Sequence, residues 1–315
     1  MILKRKDLLG LEELAAEEIL GILDVAEQFR NIFDRPVRKV PIMRGRTVVN
    51  LFFEPSTRTR ISFELAEKRL SADIVNFSAS TSSLKKGETL RDTAENIEAM
   101  KVDMIIMRHG SPGSAAYLAR VLKSSVINAG DGAHEHPTQG LLDMMTMRQR
   151  LGNLAGRNVT IIGDIAHSRV ARSNIWGLTK LGAQVTVCGP PTMMPPDVRR
   201  LGVRVEYDLR RAVDGADVLN ILRVQLERQA RSVFPSNREY HRMFGVTEEV
   251  VRLLKPECFI MHPGPMNRDV EISSEVADGP RQVILEQVTN GVAVRMAIIY
   301  LLSGGDPGSL RGETD

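Results

Sequence analysis

The sequence contains little cysteine and no long apolar run. Only two cysteines, Cys188 and Cys258, occur among its 315 residues, which excludes a disulfide scaffold and a zinc site built from four cysteines. Such sparing use of cysteine is typical of a reduced, cytoplasmic compartment. The longest purely apolar stretch near the end, residues 297–302, is too short to span a bilayer, so we expect no membrane partner.

Aromatic residues and excess charge are also scarce. Aromatics make up 4% of the chain, and the formal net charge is only +3. A nucleic-acid-binding protein usually concentrates its basic residues and offers rings for stacking, so this composition argues against a nucleic-acid partner. Hydrophobic residues amount to 43% and charged residues to 26%, as in soluble globular proteins, and the length allows two domains.

Short β-rich runs alternate with helical stretches along the whole chain. The predicted strands are residues 46–53, 73–77, 103–108, 125–129, 158–163, 183–188, 203–207, 218–221 and 259–261. The predicted helices are residues 16–33, 57–71, 90–100, 114–123, 137–151, 168–181 and 282–302. Regular alternation predicts parallel sheets with helices on both faces, and this many strands favours two such sheets.

Ligands of open parallel sheets bind beyond the carboxyl ends of the strands, where helices begin. At the first such junction Ser56 suits a helix N-cap, and Arg58 and Arg60 fall in the first turn. Cations there oppose the helix macrodipole by a few tenths to about 1 kcal/mol each. A bound phosphate would explain them, because N–H groups, a guanidinium and the hydroxyls of Ser56, Thr57 and Thr59 would converge on it. The alternative is a solvated turn whose arginines point away.

A second junction surrounds His136. Proline is favoured at the first helical position, so Pro137 should open a helix with His136 and Gln139 at its N-terminus. His134 and His136 could suggest a metal pair. Two histidines without further suitably spaced ligands are a weak signal, so we expect no metal.

The third junction, residues 163–172, follows a strong strand candidate. The Gly-x-Gly-x-x-Gly spacing is absent, which argues against a dehydrogenase and a dinucleotide cofactor. Ser168 can cap the following helix, and Arg169 again places a cation at a positive helix end, which a carboxylate ligand would explain. Arg108 and Arg223 likewise close predicted strands, so cations gather at the same ends of several strands.

Several motifs resemble those of the carbamoyltransferases. Residues 52–59 read Phe-Phe-Glu-Pro-Ser-Thr-Arg-Thr and resemble the family signature, and residues 136–139, His-Pro-Thr-Gln, match its second motif. Residues 85–90, 223–225 and 262–265 follow in the family's order. The resemblance covers essentially the whole chain and is strongest to the branch that uses aspartate. It implies carbamoyl transfer from carbamoyl phosphate to L-aspartate, an early step of pyrimidine biosynthesis.

Two alternatives stay open beside this interpretation. The ornithine branch shares the phosphate-binding half, but it carries lysine where this chain has Glu54 and a His-Cys-Leu-Pro motif where this chain has Gly264 in His-Pro-Gly-Pro. Arg169 and Arg223 also suit carboxylates better than an ammonium group. A non-catalytic scaffold would be expected to have lost a central side chain, and the sequence retains Arg58, Arg108 and His136.

The resemblance further implies roles for individual residues. It identifies as catalytic Arg58, Thr59, Arg108 and His136. The residues implied to bind carbamoyl phosphate are Ser56, Thr57, Arg58, Thr59, Arg108, His136, Gln139, Gly264 and Pro265. Those implied to bind L-aspartate are Lys86, Arg169, Arg223 and Gln225.

The fold that the resemblance implies has two doubly wound parallel-sheet α/β domains joined by long helices, with the active site in the interdomain cleft. Residues 1–151 with 288–315 would bind carbamoyl phosphate and residues 152–287 would bind aspartate. A homotrimer is implied, in which Ser82 and Lys86 enter the neighbouring subunit's site. Regulatory chains or a dihydroorotase are further partners that the resemblance leaves open, and no cofactor is expected.

Overall fold

The computed structural model describes residues 3–78, 88–224, 234–306 and 308. In this part of the chain the strands are β1 (Thr47–Phe52), β2 (Asp73–Ser78), β3 (Met104–His109), β4 (Ser125–Asp131), β5 (Asn158–Ile162), β6 (Gln184–Cys188), β7 (Arg204–Glu206), β8 (Val218–Ile221) and β9 (Phe259–Met261). The helices are α1 (Ala16–Asn31), α2 (Thr57–Leu70), α3 (Leu90–Ala99), α4 (Ser114–Val121), α5 (Pro137–Leu151), α6 (Arg169–Lys180), α7 (Leu209–Val213), α8 (Asn237–Phe244), α9 (Glu248–Val251), α10 (Ser274–Ala277) and α11 (Ile284–Leu302).

The nine predicted strands and seven predicted helices are confirmed, with small shifts at their ends. The sequence did not predict the helices α7, α8, α9 and α10. Each of these is too short to repeat an apolar face over the window in which helical periodicity can be recognised.

Two compact units make up the chain. The first comprises Met1–Leu141 and Thr289–Asp315, and the second comprises Leu142–Val288. The chain therefore passes from the first unit to the second within α5 and returns within α11. The predicted division after residue 151 assigns the whole of α5 to the first domain, whereas the contacts divide that helix between the units.

The first unit contains a parallel sheet with the strand order β2-β1-β3-β4. Five of the six residues of β1 are buried, as expected for a strand that is covered on both faces. From β1 the chain first adds β2 on one side of that strand. It then returns to add β3 and β4 on the other side of β1. The order thus reverses between β1 and β3, and this is where an open sheet of this kind leaves a crevice for ligands.

The second unit contains a parallel sheet with the order β7-β6-β5-β8-β9. Its strand order reverses between β5 and β8. Gly163 follows β5 with a φ of +134°, and a Cβ atom there would lie 2.9 Å from the Cβ of Leu222. Glycine is therefore required where the carboxyl ends of β5 and β8 approach each other.

Helix α11 is long and apolar enough to cross a membrane by length and composition alone. Most of the helix is buried inside the fold, as is typical of a core helix. The residues packed inside include Ala293, Met296 and Ile299.

Candidate active site

The segment between β1 and α2 lies at the strand reversal of the first unit. Ser56 occupies the N-cap position of α2 as predicted, and its side chain makes no capping hydrogen bond. Its φ of −160° and ψ of 91° are extended, and its carbonyl accepts the N–H of Arg60 at 3.1 Å. The first turn carries no acidic side chain, and Thr57 and Arg58 are exposed. This turn offers N–H groups, hydroxyls and a cation to an anion.

The two arginines of this turn differ in their surroundings. Arg60 has its Nε 3.5 Å from a carboxylate oxygen of Glu64, one helical turn further on. This exposed pair is of the kind that stabilises a helix surface by a few tenths of a kcal/mol. Arg60 therefore belongs to the helix surface, and Arg58 is the arginine of this turn that the family motif assigns to the phosphate.

Arg108 lies on the adjacent strand, β3, directly beside Phe52 of β1 in the sheet register. Arg108 is buried, with 8% of the residue exposed. Its guanidinium donates to the carbonyl of Ala129 at 3.2 Å and to Oε1 of Glu54 at 3.0 Å. The Phe53 N–H also donates to the Arg108 carbonyl at 2.9 Å. The structure therefore brings together Arg108 and the loop that precedes α2. The sequence did not predict the bond to Glu54.

His136 and Gln139 lie at the start of α5, which begins at Pro137 as predicted. Both side chains are buried, at 4% and 9% exposure, and the His136 carbonyl accepts the N–H groups of Gln139 at 2.9 Å and Gly140 at 3.1 Å. Thr138, completely buried, has its hydroxyl 3.4 Å from Nδ1 of His136. This turn follows the carboxyl end of β4, the neighbour of β3, and so shares the same edge of the sheet.

Asp131, at the end of β4, holds the loop that leads to His136. Its carboxylate accepts the Gly113 N–H at 2.7 Å and the Asn128 side-chain amide at 2.8 Å, and it lies 3.1 Å from Nδ1 of His134. Burial alone would raise the pKa of Asp131, but these hydrogen bonds outweigh it and lower the pKa below its usual value. The carboxylate is therefore charged at neutral pH and stabilises the loop.

One group of potential metal ligands comes together in the described part of the chain, namely Glu12, His134 and Glu135, whose ligand atoms lie within 4.8 Å of one another. The carboxylate oxygens of Glu135 accept the backbone N–H groups of Leu11 at 2.8 Å and Glu12 at 3.1 Å. Glu135 thus serves to attach the N-terminal segment. The His134–His136 pair considered from the sequence is not part of this group.

In the second unit, α6 begins at Arg169 beyond the end of β5. Ser168 caps this helix as predicted, because its hydroxyl accepts the Ala171 N–H at 3.1 Å. Arg169 is 3% exposed, so a cation is buried at the positive end of this helix. Burying a guanidinium is costly unless a negative group accompanies it, which favours an anionic ligand or partner beside it.

Arg223 is half-buried and follows β8, at the strand reversal of the second unit. Gly264 and Pro265 follow β9, the neighbour of β8, and lie on the same edge of the second sheet. Gly264 has a φ of +59°, a conformation that glycine adopts without strain. Arg169, Arg223 and the Gly264–Pro265 turn therefore each follow the carboxyl end of one of three neighbouring strands, β5, β8 and β9.

Three residues implied by the resemblance, Ser82, Lys86 and Gln225, lie outside the described residues. Conversely, three carboxylate or imidazole side chains support the site but were not predicted for it, namely Glu54, His262 and Glu271. Glu54 and His262 occur inside the recognised motifs, which was the one available signal. Glu271 stands outside every motif, and its contacts become visible only in the folded chain.

Neither cysteine has the properties of a nucleophile. Cys188 and Cys258 are both free and buried, and burial raises the pKa of each thiol to about 12. Neither forms an appreciable amount of thiolate at neutral pH, so thiolate catalysis is disfavoured. What the described residues offer are cations, hydroxyls and N–H donors, which bind anions and stabilise developing negative charge.

Comparison with known proteins gives matches to both halves of the chain. Residues 6–149 match the family model described as the aspartate/ornithine carbamoyltransferase carbamoyl-P binding domain, and residues 155–302 match the model for its Asp/Orn binding domain. Together the two models cover nearly all of the sequence.

Individual proteins of both branches are similar to the chain. The aspartate carbamoyltransferase catalytic subunit of Gemmatimonas aurantiaca is 61% identical over 302 residues, covering 96% of this chain and 95% of that protein. The crystal structure of aspartate transcarbamoylase from Trypanosoma cruzi with N-(phosphonacetyl)-L-aspartic acid has a TM-score of 0.84 at 30% identity, covering 93% and 94%. Ornithine carbamoyltransferase from Pyrococcus furiosus reaches 0.85 at 31% identity, covering 97% and 99%. The structural likeness does not separate the branches, whereas the sequence identity favours the aspartate branch.

Proposed function

The chain belongs to the aspartate/ornithine carbamoyltransferase family, and on that premise we propose that it transfers the carbamoyl group of carbamoyl phosphate to L-aspartate. The products are N-carbamoyl-L-aspartate and phosphate, as in the early part of pyrimidine biosynthesis. The observation that carries the proposal is the cation at each strand reversal, with Arg108 beside β1 in one sheet and Arg169 beyond β5 in the other. Substrates with several negative charges suit such a site.

Carbamoyl phosphate is assigned to the residues that the family motifs imply for it, most of which belong to the first unit. Its phosphate accepts hydrogen bonds from the first turn of α2, through Ser56, Thr57, Arg58 and Thr59. Free N–H groups at a helix N-terminus and a guanidinium together favour a dianion. Gln139 and the carbonyl groups of Gly264 and Pro265 hold the carbamoyl amine, since an NH₂ group donates and these oxygens accept.

L-aspartate is assigned to the second unit. Arg169 and Arg223 bind its two carboxylates, because a guanidinium fork matches the two oxygens of a carboxylate. Gln225 and Lys86 complete this set on the strength of the family motif alone. An ornithine side chain would bring an ammonium group to these arginines, so its binding is disfavoured by charge repulsion.

The reaction proposed is direct acyl transfer without a covalent enzyme intermediate. The neutral aspartate amine attacks the carbonyl carbon, and the C–O bond to phosphate breaks. Thr59, Arg108 and His136 donate to the carbonyl oxygen as it becomes negative, which is the role of an oxyanion hole. The leaving phosphate accepts the proton from the amine, so no protein base is required. Holding both substrates aligned accounts for several kcal/mol of barrier reduction.

The assembly we propose is a homotrimer in which Ser82 and Lys86 reach the neighbouring subunit's site. This rests on the family resemblance and on the polar composition of residues 80–87. Regulatory chains or a dihydroorotase remain open as further partners. A cytoplasmic location is proposed because both cysteines are free, as in reducing compartments.

Product formation from carbamoyl phosphate, with aspartate and ornithine tested side by side, decides between the candidates. Carbamoyl-aspartate without carbamoyl-ornithine supports the proposal. Carbamoyl-ornithine as the main product assigns the chain to the other branch. Tight phosphate binding without either product identifies a non-catalytic scaffold.

A further inference from the structure

The turn that follows β9 is held by a completely buried imidazole, His262. Nδ1 of His262 accepts the backbone N–H of Gly264 at 2.8 Å. A ring nitrogen that accepts an N–H bond carries no proton itself, so the neutral ring is protonated on Nε2. Nε2 lies 3.2 Å from Oε1 of Glu271, to which it donates. The tautomer of His262 is therefore set by its two neighbours.

Glu271 is also completely buried and accepts more than this one hydrogen bond. Oε1 accepts the backbone N–H of Asn267, and Oε2 accepts the Asn267 side-chain amide at 3.2 Å and the Val224 N–H at 3.5 Å. Four N–H groups thus point at two oxygens. Only a carboxylate accepts at both positions, because an amide in its place would turn an NH₂ group toward two of these donors.

This pair connects two segments that hold substrates in the proposed site. One is the Gly264–Pro265 turn, which His262 holds through Nδ1. The other is the chain after β8, because Val224, which bonds Glu271, directly follows Arg223. The amide of Asn267 strengthens the connection by donating to the Val224 carbonyl at 3.1 Å.

The buried pair is itself anchored to the helical layer. The backbone N–H of His262 donates to Oε1 of Gln287 at 3.0 Å, and the Gln287 amide donates to Asp143 of α5 at 2.8 Å. Asp143 also accepts the side-chain amide of Asn174 in α6 at 2.7 Å. All these side chains are buried, so the backbone at His262 is fixed from the helical side. Rotation of the imidazole would break its two own hydrogen bonds, to Gly264 and to Glu271.

We propose that His262 and Glu271 are positioning residues of carbamoyl transfer. They fix the Gly264–Pro265 carbonyl groups and the backbone beside Arg223 relative to each other. The inference rests on the proposed function. His262 acts through its Nδ1 bond to Gly264, and Glu271 acts by fixing the His262 tautomer and by holding Val224. Neither side chain touches a substrate in this scheme.

Two substitutions of His262 separate this role from simple packing. Asparagine reproduces an acceptor near the Nδ1 position, whereas glutamine reproduces a donor near the Nε2 position. If His262 acts through Gly264, His262→Asn should retain the turn and His262→Gln should lose it. We expect kcat of His262→Gln to fall at least about tenfold below that of His262→Asn, since small misplacements of reacting groups are costly.

Glu271→Gln provides the second arm, with Glu275→Gln as its control. Glu275 is exposed on α10, so its substitution removes the same charge without touching the buried pair. We expect Glu271→Gln to lower kcat at least about tenfold, because a displaced turn misplaces the groups that hold the substrates. Its affinity for inorganic phosphate, measured by calorimetry, should stay normal, and Glu275→Gln should match the wild type in both measurements.

Wild-type protein that forms no carbamoylated product would overturn the proposed function and this inference together. Active wild type with equal kcat for His262→Asn and His262→Gln, or with normal kcat for Glu271→Gln, would overturn the inference alone. Thermal unfolding of each variant accompanies the assays. Should a His262 variant fail to fold, the comparison of Glu271→Gln with Glu275→Gln decides.

Discussion

The guanidinium of Arg108 lies 3.0 Å from a carboxylate oxygen of Glu54, and the side chain of Arg108 is only 10% exposed. This ion pair joins the end of β3 to the loop after β1, on the two sides of the strand reversal in the first unit. A charged hydrogen bond of this kind orients the guanidinium and limits its rotation. Glu54 thereby prepares Arg108 for the carbonyl oxygen that it is proposed to stabilise.

Substitution Glu54→Gln should keep the shape of the side chain and remove its charge. We expect kcat to fall about tenfold or more, because Arg108 loses the partner that orients it. The control is Glu64→Gln, which removes a carboxylate from the exposed pair with Arg60. Steady-state kinetics with both substrates provides the measurement, and equal kcat in the two variants would contradict the orienting role.

Substitution Arg58→Ala should abolish turnover and leave the fold intact. Arg58 is an exposed cation in the first turn of α2, where the helix macrodipole disfavours it, so its loss should cost little stability. The matched control is Arg60→Ala in the same turn, which breaks only the surface pair with Glu64. Near-normal kcat for Arg58→Ala, or a loss of more than about 2 kcal/mol in the free energy of unfolding, would make Arg58 a structural residue.

Substitution Arg223→Ala should damage aspartate use far more than carbamoyl phosphate binding. Arg223 lies at the strand reversal of the second unit, whereas the α2 turn belongs to the first. Calorimetry, with carbamoyl phosphate added before an aspartate analogue, measures the two affinities separately. Arg252→Ala, in an exposed pair with Glu248, serves as the control. Equal weakening of both ligands would contradict this division of labour.

Mixing two inactive variants tests the shared site. Lys86→Ala removes the group proposed to act in the neighbouring subunit, and Arg58→Ala disables the subunit's own phosphate turn. Mixed trimers should regain activity, because some interfaces then combine an intact loop with an intact pocket. Native mass spectrometry establishes the mixing. Mixed trimers without regained activity, or a fully active monomer, would exclude the shared site.

Stability should depend on pH through Glu67, which is completely buried on α2. Burial raises the pKa of Glu67 to about 8, and the Asn50 amide, which donates to Oε2 at 2.9 Å, offsets this only partly. A carboxyl group whose pKa is raised on folding favours the folded state below its ordinary pKa of 4.5. That contribution is lost as the pH rises toward about 8, where the buried group ionises.

Glu67→Gln keeps this side chain neutral at every pH. Relative to the wild type, we expect little change in the free energy of unfolding near pH 5 and a gain of about 2–4 kcal/mol near pH 9. Urea unfolding at the two pH values measures the difference, with Glu64→Gln on the same helix as the control. A gain that is equal at both pH values would show that Glu67 is charged throughout.

The sequence by itself determined the strands, the longer helices and the residues at their junctions. These features follow from local rules, since apolar periodicity, proline at a first helical position and serine at an N-cap act over a few neighbouring residues. Cations at positive helix ends, Arg58 and Arg169, stood out because they break such a rule. The short helices α7 to α10 were not predicted because their apolar patterns are too brief.

Tertiary structure alone decided which strand–helix junctions lie at a reversal of strand order. Both sheets reverse their strand order, between β1 and β3 and between β5 and β8, and the order depends on pairing between strands far apart in the chain. The ion pair of Arg108 with Glu54 and the bonds from Glu271 to His262 and Val224 are of the same long-range kind. Hydrogen bonds between buried side chains depend on distances that only the packed fold sets, so no local pattern in the sequence could predict them.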